Sequence, residues 1–303
     1  MSSPITSPAL HGWLILDKPL GLTSTQAIGK ARRILGGKKV GHGGTLDPLA
    51  TGILPLAFGE ATKVIPYVMD GEKEYLFTVT WGQQRTTDDA EGEVMTVSDC
   101  RPDEKSIREA LSSFVGEIDQ TPPTFSAIKI GGQRAYDLAR AGKPPEMTPR
   151  KVRIDSLELL SMPSPDCADF KVRCGKGTYI RSLGRDLALK LGTFGYISAL
   201  RRTKVGPFTL ENAFSLEKLQ ELSDNGHALT ALLAIGSALD DIPGLTLTAS
   251  EAQRLRAGQN LLIKPHQLAL MDSPVLLATH QGVPVALLEV KCGSFVVLRG
   301  FNF

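Results

Sequence analysis

At 303 residues, with 42% hydrophobic residues, 22% charged residues and a net charge of +2, the sequence is typical of a folded protein of two domains, or of one large domain with a small addition. It has neither a signal peptide pattern nor an apolar stretch long enough to span a bilayer, so we expect a cytoplasmic protein without membrane contact. Four widely spaced cysteines without a CxxC pair disfavour a disulfide framework and a structural zinc site.

The N-terminal part predicts a strand, a helix and a glycine-rich loop after a flexible tail of residues 1–10. The segment GWLILDKPLG is typical of a short apolar strand that ends at a Pro/Gly turn. Thr23, followed three residues later by Gln26, predicts the start of a helix. The segment GGKKVGHGGTLDPLATG contains too much glycine for regular structure, so we predict a loop that a ligand can approach closely.

The middle of the chain predicts a strand, a helix and a basic arm. Residues 74–81 alternate between apolar and polar side chains, which predicts a strand, and the polar turn TTDDAEGE after it predicts a hairpin. Residues 103–115 have the apolar spacing of a helix. Prolines and a Gly-Gly pair in residues 124–153 indicate loops and one short helix, which together suit a mobile arm.

The last part of the chain predicts a strand, a helix and a separate small domain. DFKVRC is typical of a strand, and TYIRSLGRDLALKLG has the spacing of a helix that places Arg181 and Arg185 one turn apart on one face. Near Pro243 the pattern changes to one helix and several short strands. We therefore predict a main domain over residues 11–243 and a small β-rich domain over residues 244–303.

The positive charges are concentrated in three segments, residues 18–46, 124–153 and 171–204. Together these segments sum to +19, while the rest of the chain sums to −17. Lysines and arginines often only solvate the surface of a helix, and one such segment would be ambiguous. Three of them favour a face that binds a polyanion, and nucleic acid is the partner that this pattern predicts.

The motifs for common cofactors and metals are missing from the sequence. No P-loop or GxGxxG fingerprint is complete, and the five histidines form no metal-binding pair at helical spacing. The candidate chemistry is in residues 41–52, GHGGTLDPLATG, which hold one carboxylate and one imidazole. Local chemistry alone leaves both open, because Asp47 also suits an Asp-Pro turn and His42 also suits a hydrogen-bonded loop histidine.

Six segments together resemble, in order, the motifs of the bacterial tRNA pseudouridine 55 synthases, the TruB family. They are GWLILDKPLGLTST, KVGHGGTLDPLATGILPLAFGEATK, KEYLFTVTWG, TDDAEGEV, PPTFSAIKIGGQRAY and GTYIRSLGRDLA. The resemblance covers about residues 12–210, and the C-terminal residues are similar to a PUA-like RNA-binding domain. It implies the α/β (α+β) pseudouridine synthase fold, with a mixed, mainly antiparallel central sheet. Gly43 departs from the family, which often has Thr there.

The resemblance also implies the reaction, an isomerisation without cofactor or metal. The bond from uracil N1 to ribose C1′ breaks, the base turns within the site, and C5 is joined to C1′. Asp47 corresponds to the catalytic carboxylate, which either attacks C1′ or removes the 2′ proton to give a glycal. Such a carboxylate must stay ionised in a pocket that excludes water, and a cation beside it is therefore required.

The same resemblance assigns roles to four further residues. Arg181 is implied to be the cation that holds Asp47, although a phosphate-binding arginine is the alternative for such a basic helix. Tyr75 is implied to stack on the uracil and to help remove the C5 proton, whereas the strand alternation alone favours a core aromatic. Tyr179 is implied to lie near the base or near the catalytic pair. His42 is implied to fill the space that a flipped uridine leaves.

Further contacts with RNA are predicted on the basic segments, whose cations would bind phosphates. We expect the T-arm of tRNA to be the partner, read by its structure more than by its sequence. We also expect a monomer that needs no protein partner and no guide RNA. The predicted substrate-binding residues outside the reacting centre are Lys18, Lys129, Arg134, Arg140, Lys143, Arg150 and Lys151.

Two other functions are compatible with a basic cleft and base flipping. A tRNA folding chaperone would use both, with catalysis incidental to its function. A guide-RNA-directed synthase of the related eukaryotic and archaeal type would require protein partners and long basic extensions, and this sequence has no such extensions.

Overall fold

The computed structural model describes residues 10–126 and 128–303, so the predicted tail lies outside the described residues except for its last residue. Within these ranges no helix combines the length and the apolar character that a transmembrane helix needs. The helices are α1 (Ser24–Leu35), α2 (Ile65–Asp70), α3 (Glu104–Leu111), α4 (Ala135–Arg140), α5 (Ile180–Lys190), α6 (Leu216–Asp224) and α7 (Ala249–Arg256). Turns of 3₁₀ helix occur at Gly59–Val64, Ser112–Phe114, Leu210–Asn212, Ala228–Ala231, Ile235–Ala238 and Pro265–Leu270.

The strands among the described residues form one large sheet, one small sheet and two short hairpins. The strands of the first two thirds of the chain are β1 (Gly12–Lys18), β2 (Val40–His42), β3 (Ala50–Phe58), β4 (Lys73–Trp81), β5 (Gln83–Arg85), β6 (Val94–Val97), β7 (Gly116–Gln120), β8 (Lys129–Ile130), β9 (Gln133–Arg134), β10 (Arg150–Ser164), β11 (Cys167–Cys174), β12 (Gly195–Val205) and β13 (Phe208–Thr209). The later strands are β14 (Leu232–Leu233), β15 (Gly244–Thr246), β16 (Leu261–Leu262), β17 (Leu276–His280), β18 (Val283–Lys291) and β19 (Ser294–Gly300).

The large sheet has the order β14-β1-β3-β12-β4-β11-β10-β7, with β2 beside β3 and β13 beside β12. Every pairing within it is antiparallel except that of β3 with β12. The predicted mixed, mainly antiparallel sheet is therefore confirmed. The parallel pairing matters for the site, because it places the beginning of β3 next to the middle of β12.

Apolar and polar side chains alternate along β4, and the apolar face is buried as predicted. Tyr75, Phe77, Val79 and Trp81 are all buried, and α5 packs Leu183 and other apolar residues into the same cluster. The predicted hairpin forms, but β4 is not part of it. The turn connects β5 to β6, and β4 pairs with β11 and β12 instead, because these long apolar strands cover both of its edges.

Helix α1 begins where the capping pair predicts. The Thr23 side chain accepts a hydrogen bond from the backbone of Gln26, and the Gln26 side chain accepts one from the backbone of Thr23. The helix buries Ala27 and Ala31 against β1 and β3, whose side chains are almost all buried. The loop after β2 is thereby held between a helix and the sheet.

The small sheet, in the order β15-β17-β18-β19-β16, packs with α7 as the C-terminal β-rich domain. Its Leu287 and Phe301 enter the same buried cluster as Trp13 of β1. Polar contacts reinforce the junction, since the Lys63 ammonium donates to the Gly300 carbonyl at 2.7 Å. The two domains therefore share one apolar boundary.

Residues 121–149, which we call the arm, connect β7 to β10. The described part of the arm contains the hairpin of β8 and β9 and the helix α4. Arg150 and Lys151, which the sequence assigned to the predicted arm, instead begin β10 and pair with β7.

Two glycines allow a test of this packing. Gly52 has a φ of +98°, and a Cβ there would lie 2.2 Å from the Arg202 carbonyl oxygen across the parallel pairing. Gly29 is inside α1, and a Cβ there would meet nothing within 4 Å. We predict that Gly52→Ala lowers the free energy of unfolding by about 3 kcal/mol, whereas Gly29→Ala raises it by about 0.5–1 kcal/mol.

Urea unfolding of both variants beside the unchanged protein measures these differences. Equal effects of the two substitutions would contradict the close approach of β3 and β12.

Candidate active site

A cleft of about 590 Å³ lies between the loop that precedes β3, the strand β4 and the N-terminal end of α5. Four of the sequence candidates line it together with the first residues of β10. The cleft is large enough for a nucleoside, since ligand sites of this kind usually measure 300–1,000 Å³. The predicted site residues on its wall are Asp47, Tyr75, Arg150, Lys151, Tyr179 and Arg181.

The loop that carries Asp47 is fixed by hydrogen bonds from the preceding helix and turn. The Leu46 N–H donates to the Ser24 hydroxyl at 2.8 Å, and that hydroxyl donates to the Leu46 carbonyl at 2.9 Å. The Gly21 N–H donates to the Pro48 carbonyl at 2.9 Å. Because both neighbours of Asp47 are held, the position of its backbone and the direction of its Cα–Cβ bond are set.

Arg181 and Asp47 form an ion pair at the base of the cleft. The Arg181 Nε lies 3.0 Å from Oδ2 of Asp47, although the angle at Nε is too poor for a hydrogen bond. Its other two nitrogens donate to the carbonyls of Thr87 at 3.0 Å and Phe125 at 2.9 Å, and the Asp89 carboxylate is 3.7 Å from Nε. The guanidinium is therefore fixed in position, and the Asp47 carboxylate faces it.

The two carboxylates around Arg181 differ in their exposure. The Asp47 side chain is 38% exposed, toward the cleft, whereas that of Asp89 is 3% exposed. Asp89 accepts hydrogen bonds from the Thr87 hydroxyl and the Glu91 N–H, so it has local partners. Asp47 is thus the carboxylate of the two that is accessible from the cleft.

Two tyrosines lie on the wall of the cleft. Tyr75 belongs to the core cluster and also lines the cleft, and burial raises the pKa of its phenol, so it stays neutral at ordinary pH. Tyr179 directly precedes α5, and the Arg150 guanidinium lies 5.1 Å from the centre of its ring. The two interpretations of Tyr75, as a core residue and as a residue of the cleft, are therefore compatible.

Comparison with known proteins identifies the family to which the chain belongs. The family model "TruB family pseudouridylate synthase (N terminal domain)" matches residues 32–180, and "tRNA pseudouridylate synthase B C-terminal domain" matches residues 181–239. The tRNA pseudouridine synthase B of Rhodospirillum rubrum is 48% identical and aligns over 100% of both chains. That of Bradyrhizobium diazoefficiens is 49% identical, over 97% of this chain and 86% of that protein. The chain belongs to the TruB family of pseudouridylate synthases.

Among solved structures, a Cbf5-Nop10-Gar1 complex contains a chain with the same fold. It superposes with a TM-score of 0.72 at 24% identity, and the match covers 99% of this chain and 90% of that one. This match confirms the predicted fold. The family models and the relatives confirm the resemblance to TruB and the class of enzyme, an isomerase that makes pseudouridine.

Two predicted substrate-binding residues of this TruB enzyme are not on the wall of the cleft. Lys18 is fully buried, its ammonium donates to the carbonyls of Pro19, Leu22 and Pro48, and burial lowers its pKa to about 8. His42 is half-buried on β2, and burial lowers the pKa of its imidazole, which favours the neutral form. Their roles in substrate binding stay predictions.

The cations of the arm also lie away from the cleft wall, but they are exposed to solvent. Arg134 donates to the Tyr136 hydroxyl at 2.9 Å, and the Arg140 guanidinium lies 5.6 Å from the same ring. Their contacts with RNA stay predictions as well. The exposed cations of the arm are Lys129, Arg134, Arg140 and Lys143.

The sequence reasoning missed Arg202, which lies on the wall of the cleft and is 2% exposed. Its guanidinium donates to the Ile53 carbonyl at 2.7 Å and to the Gly44 carbonyl at 3.0 Å. A charged residue at an inward strand position would be a signal, but β12 contains two register shifts that break its alternation. In the sequence, nothing therefore distinguishes Arg202 from the other cations of residues 171–204.

Arg202→Lys tests whether the planar guanidinium positions the loop around Asp47. A lysine cannot donate to both carbonyls in that geometry, so we predict a loss of about 3 kcal/mol in the free energy of unfolding. The initial rate of pseudouridine formation should fall about 10-fold or more. Thermal unfolding and single-turnover assays measure both.

The neighbouring Arg201→Lys is the control. Arg201 pairs with Asp17 at a partly exposed position, so its replacement should cost about 1 kcal/mol or less. Equal losses in the two variants would contradict the role of Arg202.

Proposed function

We propose that this TruB enzyme converts uridine 55 in the T-loop of tRNA to pseudouridine, with Asp47 as the catalytic carboxylate. The observation that carries the proposal is the Asp47–Arg181 ion pair at the base of a cleft of nucleoside size. Relatives that align over 97% and 100% of the chain are tRNA pseudouridine synthases B, which supports tRNA as the substrate.

The reaction requires a carboxylate, and a proton acceptor for C5. Asp47 either attacks C1′ as N1 leaves or removes the 2′ proton, and in both routes the base turns before C5 bonds to C1′. The fixed Arg181 guanidinium would hold the Asp47 carboxylate in one orientation in either route. When C5 bonds to C1′, the Asp47–C1′ bond of the first route breaks, or C2′ of the second route regains its proton. C5 then loses its proton and N1 gains one, so the product is an isomer of the substrate.

The walls of the cleft would hold the flipped base. The Tyr75 phenol is neutral and buried beside the cleft, so it can stack on uracil without carrying a charge to the reacting centre. Tyr179 offers a second aromatic ring from the opposite element. Flipping the nucleotide costs a few kcal/mol, and stacking on these rings offsets part of that cost.

RNA outside the cleft would be bound through phosphates. Arg150 and Lys151 lie at the edge of the cleft, and the exposed cations of the arm precede them in the sequence. The C-terminal β-rich domain would add a PUA-like contact. We further propose that the enzyme acts alone, as a monomer, on tRNA without a guide.

Asp47→Asn should abolish the reaction while leaving the fold intact. The amide can neither attack C1′ nor accept a proton, so we predict a loss of about 10⁴-fold in rate. The assay is tritium release from C5 of uridine in an unmodified tRNA transcript, followed by mapping of the modified position.

The control is Asp166→Asn, an exposed carboxylate that pairs with Arg101 outside the cleft, which should keep the full rate. Asp47→Asn with an unchanged rate would reject the assigned catalyst. If Asp47→Asn binds and refolds tRNA normally but the unchanged protein modifies no transcript, a chaperone function is favoured.

The cations of the arm should control the salt dependence of tRNA binding. We predict that Lys129, Arg140 and Lys143 all changed to Gln weaken binding and make the slope of log K against log salt shallower by about 2 units, or about 0.7–0.9 per lost phosphate contact. Filter binding at several salt concentrations measures the slope.

A matched triple variant replaces Lys105, Arg108 and Lys218, which are 83%, 55% and 59% exposed and lie outside the basic segments. It should leave the slope unchanged. A slope that changes equally in both triple variants would contradict a role for the arm in binding phosphates.

A further inference from the structure

One buried amide connects the beginning of the arm to the active site. Gln120 is the last residue of β7, directly before the arm, and it is 1% exposed. Its Oε1 accepts a hydrogen bond from the Tyr179 N–H at 2.8 Å, and its Nε2 donates to the Tyr179 carbonyl at 3.1 Å. Both polar ends of the side chain are therefore used on a single residue, which lies on the wall of the cleft.

The backbone of Tyr179 needs this support because the residue caps a helix without a capping side chain. Tyr179 is the N-cap of α5, and its side chain makes no capping hydrogen bond. Ser, Thr, Asp and Asn are the residues that usually cap a helix from this position. The Tyr179 carbonyl also accepts the first hydrogen bond of the helix, from the Leu183 N–H at 3.0 Å. Gln120 thus restrains the peptide on both sides of the Tyr179 Cα.

The same turn of α5 holds other residues at the beginning of the arm. The Ser182 hydroxyl donates to the Thr121 carbonyl at 2.8 Å, and Arg181 donates to the Phe125 carbonyl while it pairs with Asp47. A shift of Gln120 would therefore turn the Tyr179 ring and move the guanidinium that faces the catalytic carboxylate.

We propose that Gln120 is a positioning residue for pseudouridine formation, which orients Tyr179 and the first turn of α5 from the base of the arm. The inference rests on the proposed function, since it requires Tyr179 to face the substrate base. A buried amide costs free energy unless both its ends are satisfied, and an apolar side chain would fill the same space without that requirement. The amide gives the Tyr179 peptide a direction that an apolar side chain would not give.

Gln120→Glu gives a readout that packing alone would not produce. The ionised carboxylate can accept the Tyr179 N–H but cannot donate to the Tyr179 carbonyl, whereas the protonated carboxyl can do both. Burial raises the pKa of a carboxyl group, so the competent protonated form is populated as the pH falls. Relative to the unchanged protein at each pH, the single-turnover rate should be about 100-fold lower at high pH and should rise at least about 10-fold at low pH.

Gln120→Met removes both hydrogen bonds but keeps the length and the burial of the side chain. Its single-turnover rate should be about 100-fold lower at every pH, with the Kd for tRNA changed by less than about twofold. The control is Gln220→Glu, an exposed position on α6, which should follow the pH profile of the unchanged protein. Thermal unfolding at each pH shows that the variants are folded under the assay conditions.

The proposal is overturned if Gln120→Glu follows the pH profile of the unchanged protein, if Gln120→Met keeps its rate within threefold, or if tRNA affinity falls while the rate is unchanged. If Gln120→Glu does not fold, Gln120→Met decides through its rate and Kd. The proposed function fails separately, if the unchanged protein makes no pseudouridine at position 55 of the transcript.

Discussion

The active site depends on one guanidinium being held in place before any substrate arrives. The Arg181 side chain is 6% exposed, and a charge so poorly solvated is stable only because two backbone carbonyls and two carboxylates surround it. These partners come from three separate parts of the chain. Arg181 can therefore orient Asp47 without reorganising during the reaction, which is the condition for effective electrostatic stabilisation.

The topology of the large sheet brings the elements that line the cleft together. The parallel pairing of β3 with β12 places the Asp47 loop beside Arg202, and the antiparallel pairing of β12 with β4 places Tyr75 opposite Arg202. Helix α5 packs on the apolar cluster that contains Tyr75 and places Arg181 against Asp47. A cleft at this junction is lined by strands and by a helix end, so its geometry is more rigid than that of a site built on loops alone.

The sequence predicted local features well and long-range contacts poorly. The cap of α1, the alternation of β4 and the position of α5 follow from periods and capping pairs that lie within a few residues. The arginine assigned by resemblance does lie against Asp47. Arg202 and Gln120 were not found, because their partners are 149 to 158 and 59 residues away and no local pattern marks them. The strands that pair with β4 were missed for the same reason. The residues next to β4 suggest a hairpin with the following strand, whereas β11 and β12 lie far along the chain.

The three basic segments of the sequence differ in how many of their cations face solvent without a partner among the described residues. Arg181 and Arg202 of residues 171–204 are buried, and five further cations of this segment are paired with acids, most of which lie in the negative remainder of the chain. The third basic segment is thus largely a scaffold of ion pairs around the site. By contrast, the four exposed cations of the arm form no ion pair with an acid within the described part of the chain, which makes the arm the stronger candidate for RNA contact. The paired cations of the third segment are Lys171, Lys176, Arg185, Arg201 and Lys204.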